Sequence, residues 1–324
     1  MKKLIPFFLL LVSCVKLGIN EYRQNIVYPF MYIKKHVDIQ WWYQTGIVEA
    51  KKDTFFYQFT IFRSEKPIPG YVLHIALLDV KSDRHYFFHN VKLSSILQKR
   101  VGFIHDTLFF DKYNYISFND DTVFVDAKLQ GVGLHLISVS KKPPVFHGVD
   151  SFIIMGHPDV AREKSFYMSF TRLKDSGYVL LENDTLNVHG ESWFDRQWGS
   201  FSEYGWDWFS LRFFDNTEMM LFGFPKKGYN EGTYIDFKGN AEHIKSFSYT
   251  VDSFYTGCKN KRRFGLGWKI HIKERSLHVT PVSFDQYNCW GKMDYWEGLC
   301  RIFEEDSLVG YAIVETIWSA HSNK

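Results

Sequence analysis

The 324-residue chain is short of several features that would narrow its function at once. Cysteine occurs four times, no CxxC pair or HExxH string is present, and the 13 histidines are scattered, so no metal-binding pattern emerges. GxSxG, the P-loop and GxGxxG are missing as well, which removes the usual signatures of serine hydrolases, nucleotide hydrolases and dinucleotide enzymes. Neither a metal nor a cofactor is therefore expected. The longest basic run is the triplet Lys261-Arg262-Arg263 and the net charge is +3, so nucleic acid is not an expected partner. Proline is scarce, at 9 residues, and no apolar run approaches the ~20 residues that span a bilayer.

What the chain does have is apolar mass. Hydrophobic residues make up 45% and aromatics alone 19% (31 Phe, 19 Tyr, 10 Trp), ample surface to offset chain entropy and exclude disorder over nearly the whole length. The N-terminus reads as a targeting segment. Met1-Lys2-Lys3 is cationic, Leu4 to Val12 is apolar, and Leu11-Val12-Ser13-Cys14 ends in a cysteine after a small residue. This string resembles the lipobox of bacterial lipoproteins, which implies cleavage before Cys14, lipidation there, and anchoring to a membrane of the bacterial cell envelope after export. Several acyl chains on one cysteine anchor stably, where one chain binds only marginally. Cys258, Cys289 and Cys300 then remain, an odd number, so one disulfide plus one thiol is one arrangement open to them.

From Asp38 onward, apolar and polar residues alternate with the period of a strand. The alternation is clearest in residues 53–63, 71–80, 122–129, 134–139, 166–173, 206–214, 266–272 and 310–318. Turn signals such as Asn119-Asp120-Asp121 and Lys238-Gly239-Asn240 separate them every 8 to 15 residues. Gly131-Val132-Gly133 reads as a bend within a strand-like run. Only residues 91–100 offer a helical repeat, and 241–248 are ambiguous. Close strand spacing without helices points to antiparallel barrels. The length suits two of them, and each half contains a tryptophan-rich stretch: Gln40-Trp41-Trp42-Tyr43 in the first, Gly205-Trp206-Asp207-Trp208-Phe209 in the second. The expected organisation is a signal peptide over 1–13, a tether over 14–37, and barrels over 38–190 and 191–324.

Five ordered strings carry a family resemblance. They are Trp41-Trp42-Tyr43-Gln44-Thr45-Gly46, Ser169-Phe170-Thr171-Arg172-Leu173, the run from Gly190 to Ser200 (GESWFDRQWGS), Gly205-Trp206-Asp207-Trp208-Phe209 and Tyr295-Trp296-Glu297-Gly298. With them, the chain from about His36 to Trp318 resembles the lipocalin-like AttH and carotenoid 1,2-hydratase (hydroxyneurosporene synthase) superfamily. The resemblance implies two consecutive lipocalin-like antiparallel β-barrels and, in some members, chemistry on isoprenoid- or polyketide-like substrates. The family pattern has Glu where this chain has Gln40, so a role of that carboxylate is lost or passes to Asp38. Arg196 and Gly205 stand where the hydratase branch carries a histidine and a tyrosine.

On their own chemistry, Trp193, Asp195 and Gln197 share one face of an extended strand, and Asp207 shares a face with Gly205 and Phe209. A carboxyl in an apolar pocket resists ionisation and can serve as a general acid near neutral pH, while indole faces stabilise a carbocation. Asp207 and Asp195 are thus the candidate catalytic residues. Trp41, Trp42, Tyr43, His74, Trp193, Trp198, Trp206, Trp208 and Glu297 are the candidate ligand-binding residues. The plainer alternatives are rings that only fill barrels, a satisfied core histidine at 74, and aspartates that only meet buried donors, with Arg196 the expected counter-charge of Asp195. The expected function is binding of a bulky apolar, isoprenoid- or lipid-like small molecule. The alternative is an enzyme that protonates and hydrates or cyclises such a substrate.

Overall fold

The computed structural model describes residues 28–66, 69–93, 101–155, 163–201, 205–257, 261–290 and 294–317. Cys14, Cys258, the signal segment and residues 94–100 of the helix-like stretch lie outside them, whereas Val91, Lys92 and Leu93 continue a strand. Beyond one 3-10 turn, Pro29–Met31, the described residues form strands, turns and loops.

A first meander comprises β1 (Ile39–Ala50), β2 (Asp53–Ser64), β3 (Gly70–Asp79) and β4 (Arg84–Leu93). A second comprises β5 (Gly102–Ile104), β6 (Thr107–Phe109), β7 (Tyr115–Asn119), β8 (Thr122–Leu129) and β9 (Val132–Ser140). Two short strands, β10 (Val145–Phe146) and β11 (Phe152–Ile154), lie against β12 (Lys164–Leu181), which forms a hairpin with β13 (Asp184–Ser200). β13 returns to pair along β1 and β12 pairs with β9, so the two meanders join into one antiparallel sheet ending at β4 and β5.

The second sheet repeats the plan. β14 (Asp207–Phe213), β15 (Glu218–Phe224), β16 (Tyr229–Ile235) and β17 (Ala241–Ile244) form its first meander. β18 (Ser248–Thr256), β19 (Arg263–Ile272), β20 (Arg275–Pro281), β21 (Tyr287–Asn288), β22 (Tyr295–Glu304) and β23 (Ser307–Thr316) follow, and β23 returns to pair with β14. In each half a tryptophan-bearing first strand is closed by the last strand of its own sheet. β13 carries the first sheet past positions 190 and 191, so the chain crosses between sheets after Ser200, later than the sequence suggested. Gly131 is no bend within a strand. It follows Gln130 in the two-residue turn from β8 to β9, where both residues hold the positive φ that such a hairpin requires.

Strand alternation divides the rings between two environments. From β1 and β2, Trp42, Phe55, Tyr57, Phe59 and Ile61 enter the interior of the first barrel with Phe118, Phe170 and Phe194. Phe209, Trp268, Trp296 and Val314 fill the second. The intervening residues point outward, and because the two barrels lie side by side, those outward faces form a third core: Trp41, Tyr43, Phe56, Tyr167, Trp193, Trp206, Trp208, Phe222, Leu299 and Ile313. Burying one such side chain contributes roughly 1.5–3 kcal/mol. The expected tether is partly structured too. Met31 is buried in the first barrel, and the carbonyls of Phe30, Met31 and Tyr32 accept hydrogen bonds from Arg196 and Trp42.

Candidate functional site

The layer between the barrels holds an unusual set of acids. Asp195, on β13, lies opposite Tyr43 of β1 and points out of the first barrel beside Trp193. Its carboxylate accepts from Ser169 Oγ at 2.5 Å, Trp193 Nε1 at 2.5 Å and Tyr167 Oη at 2.8 Å. Burial pushes its pKa up to about 7, against the pull of those three donors. Trp208 Nε1 in turn donates to Tyr167 Oη at 3.0 Å.

Glu297 and Glu315 enter from the second sheet, directly opposite one another on β22 and β23. Cross-strand partners share a face, so these two acids repel whenever both are ionised. Tyr43 Oη donates to Glu297 Oε1 at 2.6 Å across the barrel boundary. Glu297 Oε2 is buried and has no hydrogen-bond partner among the described residues. Burial first, and Glu315 second, raise the Glu297 carboxyl well above its ordinary value. Glu315 accepts from Trp206 Nε1 at 2.7 Å and is pushed up to about 7 by burial of its head group, although part of its side chain reaches solvent. Three carboxyls thus share a low-dielectric aromatic layer in which no Lys or Arg forms an ion pair with any of them among the described residues. Protons must occupy part of the set at neutral pH, and Glu297 is the group held most firmly in its acid form.

Not every residue singled out by sequence joins this layer. Asp207 points the other way, into the second barrel, where its carboxyl accepts from Tyr249 Oη at 2.7 Å and from Thr316. It shares that interior with Phe209, as the alternation implied, and burial pushes its pKa up to about 6. The two aspartates therefore face opposite sides of a barrel wall. Trp42 is inside the first barrel, its Nε1 donating to Met31 O at 2.7 Å. Trp41, Tyr43, Trp193, Trp206 and Trp208 do lie in the layer between barrels. His74 lies at its far side, its Nδ1 2.8 Å from Tyr295 Oη and its ring packed on Phe62, Phe87, Trp290 and Tyr295. Burial lowers its pKa to about 3, so it is neutral.

Arg196 is not the counter-charge of Asp195. It points into the first barrel, lies 4.0 Å from the centroid of the Trp42 ring, and donates to four carbonyls and to Gln40 Oε1 at 2.9 Å. A neutral Gln40 suits this position because its Nε2 also donates to Lys34 O, which a carboxylate could not do. Asp38 takes over no role there, since its carboxylate pairs with Lys66 at 3.0 Å near the surface. Cys289 and Cys300 are free thiols. Trp198 stacks on Phe166, 3.7 Å between centroids, and lines a separate cavity of about 600 Å³ where the two sheets meet.

Sequence reasoning missed Glu315, Tyr167 and Ser169. A signal existed for Glu315, an acid within the apolar run Ala312-Ile313-Val314-Glu315-Thr316-Ile317. Ser169 opens one of the family strings but had no role assigned, and Tyr167 gave no signal, because only the pairing of β12 with β13 brings them beside Asp195.

Residues 26–315 match the AttH-like family, and the chain belongs to it. No curated protein matches the sequence. The fold is similar to that of a protein assigned as AttH from Nitrosomonas europaea (TM-score 0.81, 20% identity, 91% of this chain and 98% of that one). Kievitone hydratase from Nectria haematococca is also similar (0.73, 14%, 91% and 96%), as is CghA in complex with Sch210972 (0.55, 11%, 88% and 90%). At these identities the likeness carries the fold alone, and it agrees with the two-barrel, lipocalin-like architecture expected from the motifs.

Proposed function

We propose that the protein is an acid–base enzyme acting on an apolar unsaturated small molecule held between the two barrels, with Glu297 as the proton donor. One observation carries this reading: Glu297 is kept protonated by burial beside Glu315, yet its Oε2 has no protein partner among the described residues. A carboxylic acid with its proton uncommitted, in an aromatic layer, is equipped to protonate a carbon–carbon double bond. The resulting cation would be stabilised by the ring faces of Trp193, Trp208 and Tyr43, each such contact contributing about 2 kcal/mol when desolvated. Water, or a second double bond of the same substrate, would close the reaction. The proton released returns to the carboxylate set, and Glu315, in reach of solvent, reloads Glu297. Capture by water is hydration; capture within the substrate is cyclisation. Hydratase activity in the name of a structural relative, kievitone hydratase, agrees with this class of chemistry.

A barrel-lumen carrier has less support, because both interiors are filled by side chains. The site proposed for the ligand is instead the boundary between sheets, where no strand pairing has to break for it to open. Export and lipidation at Cys14 belong to the same proposal and rest on the sequence motif; Cys14→Ala should abolish palmitate labelling and release the protein from membranes. The catalytic reading is tested by mass spectrometry of co-purifying lipids followed by incubation. A product heavier by one water, or an isomer of unchanged mass, supports catalysis, and loss of either in Glu297→Gln assigns the acid. An unchanged ligand with wild-type protein returns the reading to binding alone.

A further inference from the structure

The 600 Å³ cavity between the two sheets has none of Asp195, Glu297 and Glu315 among its described lining residues. Among its described lining residues are Trp198, Phe152 and Ile154 of the first sheet and Tyr229, Glu231 and His243 of the second. Its size falls within the range of small-molecule sites, and its walls are mostly apolar with a few convergent polar groups. Glu231 is 2% exposed and fully engaged: Oε1 accepts from Ile154 N at 2.7 Å, Oε2 lies 3.1 Å from His243 Nε2, and the Tyr229 hydroxyl bonds the same carboxyl. Burial raises Glu231, and these donors oppose that rise. In the neutral ring that donates to Glu231, Nε2 carries the proton and Nδ1 keeps the lone pair. A carboxylate that fixes the tautomer of a partly exposed imidazole at a cavity wall is the arrangement by which proteins orient a histidine toward a ligand proton.

We propose that this cavity is a second ligand site, for an apolar ring-bearing molecule with a weakly acidic hydroxyl group (a phenol or an enol), whose O–H donates to His243 Nδ1 while its rings lie among Trp198, Phe152 and Tyr229. A hydroxyl suits this wall better than a carboxylate. The imidazole offers an acceptor for a ligand proton, whereas the Glu231 carboxyl behind it disfavours an anion, and the exposed Lys164 on the cavity wall is accompanied there by Asp150 of opposite sign. The site does not depend on the chemistry proposed for Glu297.

The test uses 2-naphthol, naphthalene and 2-naphthoate as probes, with binding followed by fluorescence on the full chain. Wild-type protein should bind 2-naphthol saturably, at one site, more tightly than either of the others. His243→Leu should lower 2-naphthol affinity about tenfold, the effect of one lost hydrogen bond, while leaving naphthalene unchanged. Val149→Trp, at an exposed position on the cavity wall, should weaken both, and it carries the test if His243→Leu does not fold. Glu297→Gln should leave 2-naphthol binding as in wild type. The proposal is overturned by absence of saturable 2-naphthol binding, by 2-naphthoate binding tightest, by equal losses for naphthol and naphthalene in His243→Leu, or by loss of naphthol binding in Glu297→Gln, which would put the probe in the acid layer instead.

Discussion

The barrel interiors and the layer between them treat their buried carboxyls differently. Asp175, inside the first barrel, has both oxygens occupied, by Tyr57 Oη at 2.9 Å and Ser192 Oγ at 2.6 Å, and Asp207, inside the second, is held by Tyr249 and Thr316. In the layer, Asp195 is equally saturated, but Glu297 and Glu315 oppose one another and Glu297 keeps an oxygen free. A buried polar atom left unpaired costs about 1–3 kcal/mol, an expense that packing alone would have removed by an apolar substitution. Asp207 leaves its Oδ1 unpaired too, but its pKa rises only to about 6, whereas Glu297, raised well above its ordinary value, faces a second acid across the strand pair. The layer therefore carries the chemistry and the interiors the stability of the fold.

Neighbouring residues on β22 give the sharpest means of breaking this contrast. Glu297→Gln keeps size and polarity but has no acid proton, so turnover should fall 10²–10⁴-fold with the thermal midpoint little changed. One position earlier, Trp296 points into the second barrel, fully buried, with Nε1 donating to Phe284 O at 2.8 Å. Trp296→Ala should cost about 3–5 kcal/mol in a urea titration. Turnover by the fraction still folded should change little. If the effects are exchanged, chemistry belongs to the barrel interior.

Next in size is the fastening of one barrel to the other. Glu218, fully buried on β15, binds Lys142 Nζ at 2.5 Å and Arg172 Nε at 2.6 Å, both from the part of the chain that builds the first sheet. Removing one partner of a buried ion network strands the other charges, at about 3–5 kcal/mol. Glu218→Gln should therefore destabilise strongly and split a single urea transition into two, as the barrels cease to unfold together. A single transition with an unshifted midpoint would mean that apolar contacts alone hold the layer closed.

The fold was legible in the sequence because strand alternation is local: the tryptophan-rich stretches and the turn signals fall where β1, β14 and the hairpins do. The candidate site was legible only by half. Alternation placed Asp195 with Trp193, and Asp207 with Phe209. It could not tell which face of each strand meets the neighbouring barrel, since an outward face buried by a second barrel is as apolar as an inward one. That ambiguity left Asp207 and Asp195 as candidates of equal standing, and Arg196, adjacent to Asp195 in sequence, stood as its counter-charge although alternation turns it to the other face of β13. Glu231 and His243 stayed invisible because they meet only through the pairing of β16 with β17, and the cavity beside them exists only once β11 and β12 of the first sheet are in place.

The smallest effect concerns Asp207, and its pH dependence tests whether an interior acid is only a structural partner. Folding raises its pKa from the ordinary aspartate value of 3.8 to about 6, mainly through burial. Between those values the folded chain holds a proton that the unfolded chain has lost. The stabilisation linked to Asp207 is therefore fully present below pH 4 and declines as pH rises toward and through 6. Asn at this position keeps an acceptor for Tyr249 but does not titrate. Measured by urea denaturation across that window, wild-type stability should fall relative to Asp207→Asn by an amount on the order of 1–3 kcal/mol, and turnover of the folded variant should match wild type. A constant difference across the window would mean that Asp207 ionises as freely when folded as when unfolded. A loss of turnover comparable to that of Glu297→Gln would place a reacting acid inside the second barrel, and the division between a stabilising interior and a reactive layer would fail at that residue.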